Sequence, residues 1–278
     1  MRKVNLHTHT CFCDGKNTPE EMVISAIEKG MDVLGFSGHS SSSFDGEGCI
    51  PDCDIPKYKA EINRLKEKYK DDILILCGIE QDYYATQPAE GFDYIIGSVH
   101  AFHKDGLDMS PASFVFVDYN ISRLEHAIEN FYHGDAVSLA EDYFEKVSHV
   151  VEVTKCNIIG HFDLITKFNE KERFFDENNP RYIAAVDKAL RRLLKTKAIF
   201  EINTGAMAKN LRTVPYPSES ILKKINQGGG KIILSSDSHW TDTVDFAFAE
   251  ARKLAKSCRF TSLVTVDEKG RFIEEEIK

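Results

Sequence analysis

His7-Thr-His9 puts two imidazoles two residues apart in an extended segment. Alternation places both on one face, where they can share one divalent cation. Alone the pair describes a solvated loop equally well. What changes the reading is repetition. His39 follows Gly38, Glu80 follows Gly78-Ile79, His100 follows Gly97-Ser98-Val99, His161 follows Gly160, and Asp237-Ser-His239 follows Ser235-Ser236. Six of the ten histidines therefore sit at or just beyond the ends of predicted strands, with two acids at equivalent places. In a parallel barrel those ends open onto one mouth, where sites are built. The chemistry expected is metal binding and metal-dependent hydrolysis. Asp14, before Gly15, reads either as a turn residue or as a further carboxylate ligand. Asp163 reads as a partner for a histidine or as a structural group before it reads as a ligand. His126, His133 and His149 carry no partner motif. His103, close to His100, reads as a packing residue first and a substrate contact second.

The elements that must position these residues alternate along the chain. Strands are predicted at 3–6, 32–37, 72–79, 93–98, 157–160, 199–203, 231–235 and, late, 262–266. Helices are predicted at 19–29, capped by Thr18 with Pro19 in the first turn, and at 55–70, 139–153, 181–195, 218–226 and 244–255. In 55–70 the residues Tyr58, Ile62, Leu65 and Tyr69 recur at helical spacing. Residues 101–118, with Lys104-Asp105-Gly106 and Ser110-Pro111, are expected to be irregular, and 101–136 to cover the mouth. Seven or eight strand–helix units favour a closed α/β barrel, one domain over 1–278, above an open sheet.

Composition agrees. Hydrophobic residues make up 42% and charged residues 28% of 278, enough for a sizeable core. A net charge of −9 without a basic run speaks against non-specific nucleic-acid binding; it is no argument against a phosphate substrate, because bound cations invert the local field. No apolar run approaches a membrane span. Residues 1–30 lack a signal-peptide pattern. The seven cysteines, with Cys49 and Cys53 beside Cys11 and Cys13 as the nearest approach to a metal pattern, read as reduced thiols. A cytoplasmic protein is expected, and the oligomeric state stays open.

Taken together, His7-Thr-His9, Asp14, His39, Glu80, His100, His161 and Asp237-Ser-His239 resemble, in order, the motifs of the PHP (polymerase and histidinol phosphatase) superfamily. Gly78-Ile79-Glu80-Gln-Asp-Tyr83, Asp93-Tyr-Ile-Ile-Gly-Ser-Val-His100, Gly160-His161-Phe-Asp-Leu-Ile165, Glu201-Ile-Asn-Thr204 and Tyr216-Pro-Ser218 resemble its histidinol-phosphate phosphatase branch. The resemblance implies a distorted seven-stranded TIM-like barrel with three divalent metal ions, zinc, iron or manganese, among which mixed imidazole and carboxylate ligands do not choose strongly. It implies one metal on His7, His9, Glu80 and Asp237, a second on Glu80 as bridge with His100 and His161, and a third on Asp14, His39 and His239. Some relatives carry a histidine beside the position of Asp14, where this chain has Gly15. Glu80, Asp237 and His239 are the residues on which turnover would rest. The implied reaction is attack of a metal-bridging hydroxide on L-histidinol phosphate. Lowering the pKa of bound water toward ~7 generates that nucleophile, and a cluster charge of about +2 suits a phosphate dianion. Lys167, Lys209 and Arg212, which follow family-like segments, are the candidate phosphate contacts; Arg212 ranks first because its fork grips two oxygens.

Three other readings compete. A PHP-type esterase acting on a nucleotide or sugar phosphate shares every metal motif. An amidohydrolase also opens on His-x-His, but Glu80 stands where its bridge is wanted, and Asp14 with His239 implies a third metal. A binding module descended from such an enzyme would be expected to have lost ligands, and none appears lost.

Overall fold

The computed structural model describes residues 1–44, 48–108, 110–171 and 173–277. In chain order the elements are β1 (Val4–Asn5), α1 (Pro19–Glu28), β2 (Val33–Phe36), α2 (Ile55–Lys68), β3 (Leu74–Asp82), β4 (Tyr94–Ser98), β5 (Ala101–His103), β6 (Phe114–Phe116), α3 (Ile121–Tyr132), α4 (Ala136–Ser148), α5 (Val150–Thr154), β7 (Ile158–Ile159), α6 (Pro180–Leu193), β8 (Ile199–Asn203), α7 (Gly205–Ala208), α8 (Glu219–Gln227), β9 (Ile232–Ser235), α9 (Phe248–Ser257), β10 (Ser262–Val266) and β11 (Phe272–Glu276).

Seven strands form one parallel sheet in the order β1-β2-β3-β4-β7-β8-β9. Its two edges meet just past β1 and β9: the His9 amide donates to the Ser238 carbonyl at 2.8 Å, and the Ser238 amide to the His7 carbonyl at 3.1 Å. The ring is thereby a TIM-like barrel with seven strands. Inside it, the Tyr94 hydroxyl donates to the carbonyls of Leu6, at 2.5 Å, and Phe36, at 3.0 Å. Gly35 and Gly78 make room for that ring. A Cβ at Gly78 would lie 2.3 Å from Tyr94 Cζ.

Most expected elements appear, with local reasons. Thr18 caps α1 in a full capping box with Glu21, and Pro19 sits in its first turn. In α2, Tyr58, Ile62 and Leu65 are buried on one face. Strand β3 runs three residues beyond 79, through Asp82, so Glu80 lies within a strand.

Four expectations are corrected. Residues 101–118, expected to be irregular, contain an antiparallel hairpin pairing Ala101 with Phe116 and His103 with Phe114; residue 109 within it lies outside the described residues. Helix α3 was not expected, although Asn120 caps it and Leu124, Ala127 and Ile128 are buried at helical spacing. The helix expected over 139–153 begins earlier, at Ala136, and is broken at His149 into α4 and α5. Finally, β10 stands outside the barrel and pairs antiparallel with β11. Its Val264 and Val266 pack with Val4, Val33, Ile199 and Ile233. These residues lie toward the strand starts, so the hairpin shuts the end opposite the mouth.

Candidate metal centre

The barrel brings the sequence-selected histidines and acids to one place. Parallel strands project their C-terminal ends to the same side, and three joins set the spacing. The Thr8–Ser238 bridge puts His7 and His9 beside Asp237 and His239, and a second bridge sets His39 against Glu80. The third join is the β3–β4 register, which pairs Asp82 with Ser98.

Glu80 lies at the centre, and its two oxygens face different partners. Oε1 is 2.9 Å from His161 Nε2 and 3.2 Å from His100 Nε2. Oε2 is 3.2 Å from His7 Nε2, 3.6 Å from His9 Nε2 and 2.9 Å from His39 Nδ1. Asp237 Oδ1 lies 3.2 Å from His9 Nε2 and 3.7 Å from His7 Nε2. Asp14 stands on the outer side, with Oδ2 at 2.9 Å from His239 Nε2 and Oδ1 at 3.7 Å from His39 Nε2. Among the described residues, three groups place one ligand atom each within 4.8 Å of one another: His9, Asp14, His39 and His239; His7, His9 and Glu80; and His39, Glu80 and His100.

The donor atoms fit divalent cations. His7 Nε2, His9 Nε2, Asp14 Oδ1 and Glu80 Oε2 are buried without a hydrogen-bond partner, a costly state for polar atoms unless something else binds them. Ligands about 2.0–2.1 Å from a tetrahedral metal stand roughly 3.3 Å apart, close to the spacings between the His7 and His9 nitrogens and the Glu80 and Asp237 oxygens. Charge tells the same story. Burial would keep His7 neutral, yet Glu201, Asp237 and Glu80 push its pKa up to about 10. Burial disfavours charge on Glu80 too, yet His7, His39 and His100 hold its carboxyl well below the usual range. The chain holds buried carboxylates and imidazoles face to face, an arrangement a cation satisfies without protons.

Further residues complete the site that the spacing of motifs did not single out. Glu201 Oε2 lies 2.9 Å from His7 Nδ1, while its Oε1 accepts from the His161 amide at 2.7 Å and from Asn203 Nδ2 at 2.8 Å. Asp82 Oδ2 lies 3.1 Å from His100 Nδ1. Ser98 Oγ donates to Glu80 Oε1 at 2.6 Å. Carboxylates on the far nitrogen of a ligating histidine fix its tautomer and direction. The signal was present: Asp82 follows Glu80 by two on one strand face, and Glu201 is an acid between apolar neighbours in the middle of β8. Asp237 takes a left-handed backbone, φ 49°, and Gly205 passes so close that a Cβ there would be 2.7 Å from its Cβ. Gly15 is just as constrained: a Cβ would lie 2.4 Å from the Thr10 nitrogen, so this backbone leaves no room for a histidine there.

The mouth opens into a cavity of about 570 Å³. Lys167 and Lys209 both border it. Lys167 Nζ donates to the Asp118 carbonyl at 2.8 Å, and Lys209 Nζ stands 3.3 Å from His239 Nε2. Arg212 is buried behind the wall, its Nη1 donating to the Thr166 carbonyl at 2.7 Å and its Nε without a partner. Asp163 has a structural part: Oδ2 accepts from the Ser218 amide at 3.0 Å, and burial lifts its pKa to about 6 against the pull of Arg212. From the segment expected to cover the mouth, Phe116, Asp118, Tyr119 and Arg123 wall the cavity. His103 is a buried residue of the hairpin itself, its Nε2 against the Asp108 carbonyl. His149 pairs with Glu145 and Glu152 on the surface side. Cys11, Cys13, Cys53, Cys77, Cys156 and Cys258 are free thiols, and no cysteine belongs to the metal-type groups among the described residues. No described helix is long and apolar enough to cross a membrane.

A sequence profile of the PHP domain matches residues 5–205. A "Probable histidinol-phosphatase" of Schizosaccharomyces pombe is 29% identical, covering 96% of this chain and 90% of its own. The histidinol-phosphatase of Lactococcus lactis is 24% identical over 99% of this chain and 100% of its own. Among solved structures, a histidinol phosphatase candidate of Listeria monocytogenes shares the fold with a TM-score of 0.75 and 24% identity, over 89% of this chain and 99% of that one. The L. lactis histidinol phosphate phosphatase, complexed with zinc, L-histidinol and phosphate, has a TM-score of 0.70 and 23% identity, over 98% and 99%.

Proposed function

This chain belongs to the PHP-domain family, and we propose that it is a metal-dependent phosphomonoesterase that hydrolyses L-histidinol phosphate to L-histidinol and phosphate, a step of histidine biosynthesis. The observation that carries the reaction class is the convergence of unpartnered, buried His7, His9 and Glu80 atoms beneath the floor of an open cavity that Asp14, His39, His100, His161, Asp237 and His239 line. The substrate follows from the named relatives, one of which binds zinc, L-histidinol and phosphate together. We assign three divalent ions, zinc, iron or manganese: His7, His9, Glu80 and Asp237 for one, Glu80, His100 and His161 for the second, Asp14, His39 and His239 for the third.

When bound, such cations supply Lewis acidity toward the phosphoryl oxygens and toward water. The chain's own residues do the rest. Glu80 presents one oxygen to His100 and His161 and the other to His7 and His9, which suits a carboxylate bridging two ions. Asp82 and Glu201 aim His100 and His7 inward from behind. Lys167 and Lys209 bring positive charge to the rim, where a phosphate dianion enters. Arg212, the third cation assigned to phosphate, acts from behind the wall: Thr166 holds one arm of its fork, and its guanidinium lies over the ring of Tyr216, which lines the cavity. The phosphate end of a small substrate thus meets positive charge on two sides, and its leaving-group end faces the wall built by 114–123.

The test is turnover of L-histidinol phosphate by purified, metal-loaded protein beside a panel of nucleotide and sugar phosphates. Glu80→Ala should abolish turnover with the fold intact. Near-normal activity in that variant would remove the bridging assignment, and a much higher kcat/KM for another ester would replace the substrate.

A further inference from the structure

One acid on the cavity wall is neither an assigned metal ligand nor hydrogen-bonded to one. Of the acids on that wall, Asp14 and Asp237 face the metal-type histidines and Asp82 is committed to His100 and to the Tyr84 amide. Asp118 is different. It follows β6 on the covering segment, and its side chain is 26% exposed. Among the described residues its carboxylate accepts no hydrogen bond, and its ion pair to Lys167 is loose, at 3.7 Å. Lys167 donates its hydrogen bond to the Asp118 backbone carbonyl instead. Burial disfavours its charge, yet Lys167, His100, His161 and His39 together hold it ionised from a distance and without a hydrogen bond to the carboxylate, so the direct contact is left for a ligand's cation to make.

Resting on the substrate reading above, we propose that Asp118 is the specificity-determining residue that receives the substrate's primary ammonium, so that the cavity selects phosphate esters of amino alcohols over amine-free phosphate esters. Such a substrate is a compact zwitterion: two carbons separate the ammonium from the ester oxygen that joins the phosphate. Lys167 and Asp118 form a matching pair of opposite charges on one wall. Lys167 turns to the phosphate and Asp118 to the ammonium, and the loose pair between them is exchanged for two tighter ones. The nearby aromatic faces are not free for the same duty, because the Arg123 guanidinium already covers Phe116 at 4.5 Å and Tyr119 at 4.4 Å. An amine-free ester leaves Asp118 desolvated and unpaired, and a site built for a polar group rejects the analogue that lacks it.

The experiment compares kcat/KM for paired substrates in wild type and Asp118→Asn, with metal content measured in both. One pair is L-histidinol phosphate and its deaminated analogue, which keeps the imidazole. The other is O-phosphoethanolamine and ethyl phosphate, which have no imidazole at all. The expected result is a fall of at least tenfold in the amine-to-no-amine ratio for both pairs, carried mainly by KM. A ratio that holds while both substrates lose rate together overturns the proposal and makes Asp118 a support for Lys167. A ratio that holds with both rates intact overturns it as well. If wild type prefers an unrelated ester, the substrate reading fails on its own, and the second pair still decides the role of Asp118.

Discussion

Glu201 Oε2 lies 2.9 Å from Nδ1 of His7, whose other nitrogen faces Glu80 at 3.2 Å. Both side chains are fully buried. The contact fixes which nitrogen of His7 points into the centre and strengthens it as a donor. Because the same carboxylate accepts from the His161 amide, it also ties the ends of β7 and β8 together. Glu201→Gln should therefore lower metal affinity or kcat/KM by about 10–100-fold, read by zinc titration of the apoprotein and by turnover. Unchanged affinity and rate would mean that His7 is held by packing alone.

Asp14 is the outermost of the assigned ligands, its side chain 37% exposed, and Gly15 beside it has no room to contribute a side chain. Asp14→Ala should lose one metal per chain in elemental analysis while the others stay bound. Loss of every ion, or of none, would refute an independent third site.

Metal uptake should release protons. Against the neutralising effect of burial, carboxylates push His7 up to about 10 and raise His9 and His100 well above their ordinary value. The same carboxylates thus favour the protonated rings in the metal-free protein, and a coordinating nitrogen must lose its proton. Raising pH therefore removes a competitor, so apparent metal affinity should increase with pH. Calorimetric titration in buffers of different ionisation enthalpy measures the release directly; a heat independent of buffer would contradict it.

Gly78 faces the Tyr94 ring so closely that an added methyl meets Cζ at 2.3 Å and Cε1 at 2.5 Å. That ring is rigid and anchored through its hydroxyl on Leu6 and Phe36. Gly78→Ala should cost about 1–3 kcal/mol of stability, the usual range for overpacking, measured by urea denaturation. A variant as stable as wild type would show that Tyr94 can move.

The candidate ligands were legible in the sequence because most of them stand at or just past the ends of predicted strands, and strand ends of a parallel barrel share one mouth. Element types were legible for a similar reason: apolar periodicity and caps such as Thr18 are local, and α1, α2 and β8 follow from them. The late strand was legible as a strand but not as an outsider, since the antiparallel partner at Phe272–Glu276 sits in a charged stretch whose burial is one-sided. The 101–118 segment failed for want of period: its two paired strands are three residues long each.

What the sequence determined by itself is the inventory: which nitrogen and oxygen donors exist and that they cluster after strands. What only the tertiary structure decided is their direction. That His7 turns one nitrogen to Glu201 and the other to Glu80, that Asp82 backs His100, and that Asp118 is left with a loose partner on the cavity wall all depend on contacts between strands far apart in the chain. The β1–β9 closure and the β3–β4 register set those contacts, and no local pattern encodes a distance across a barrel.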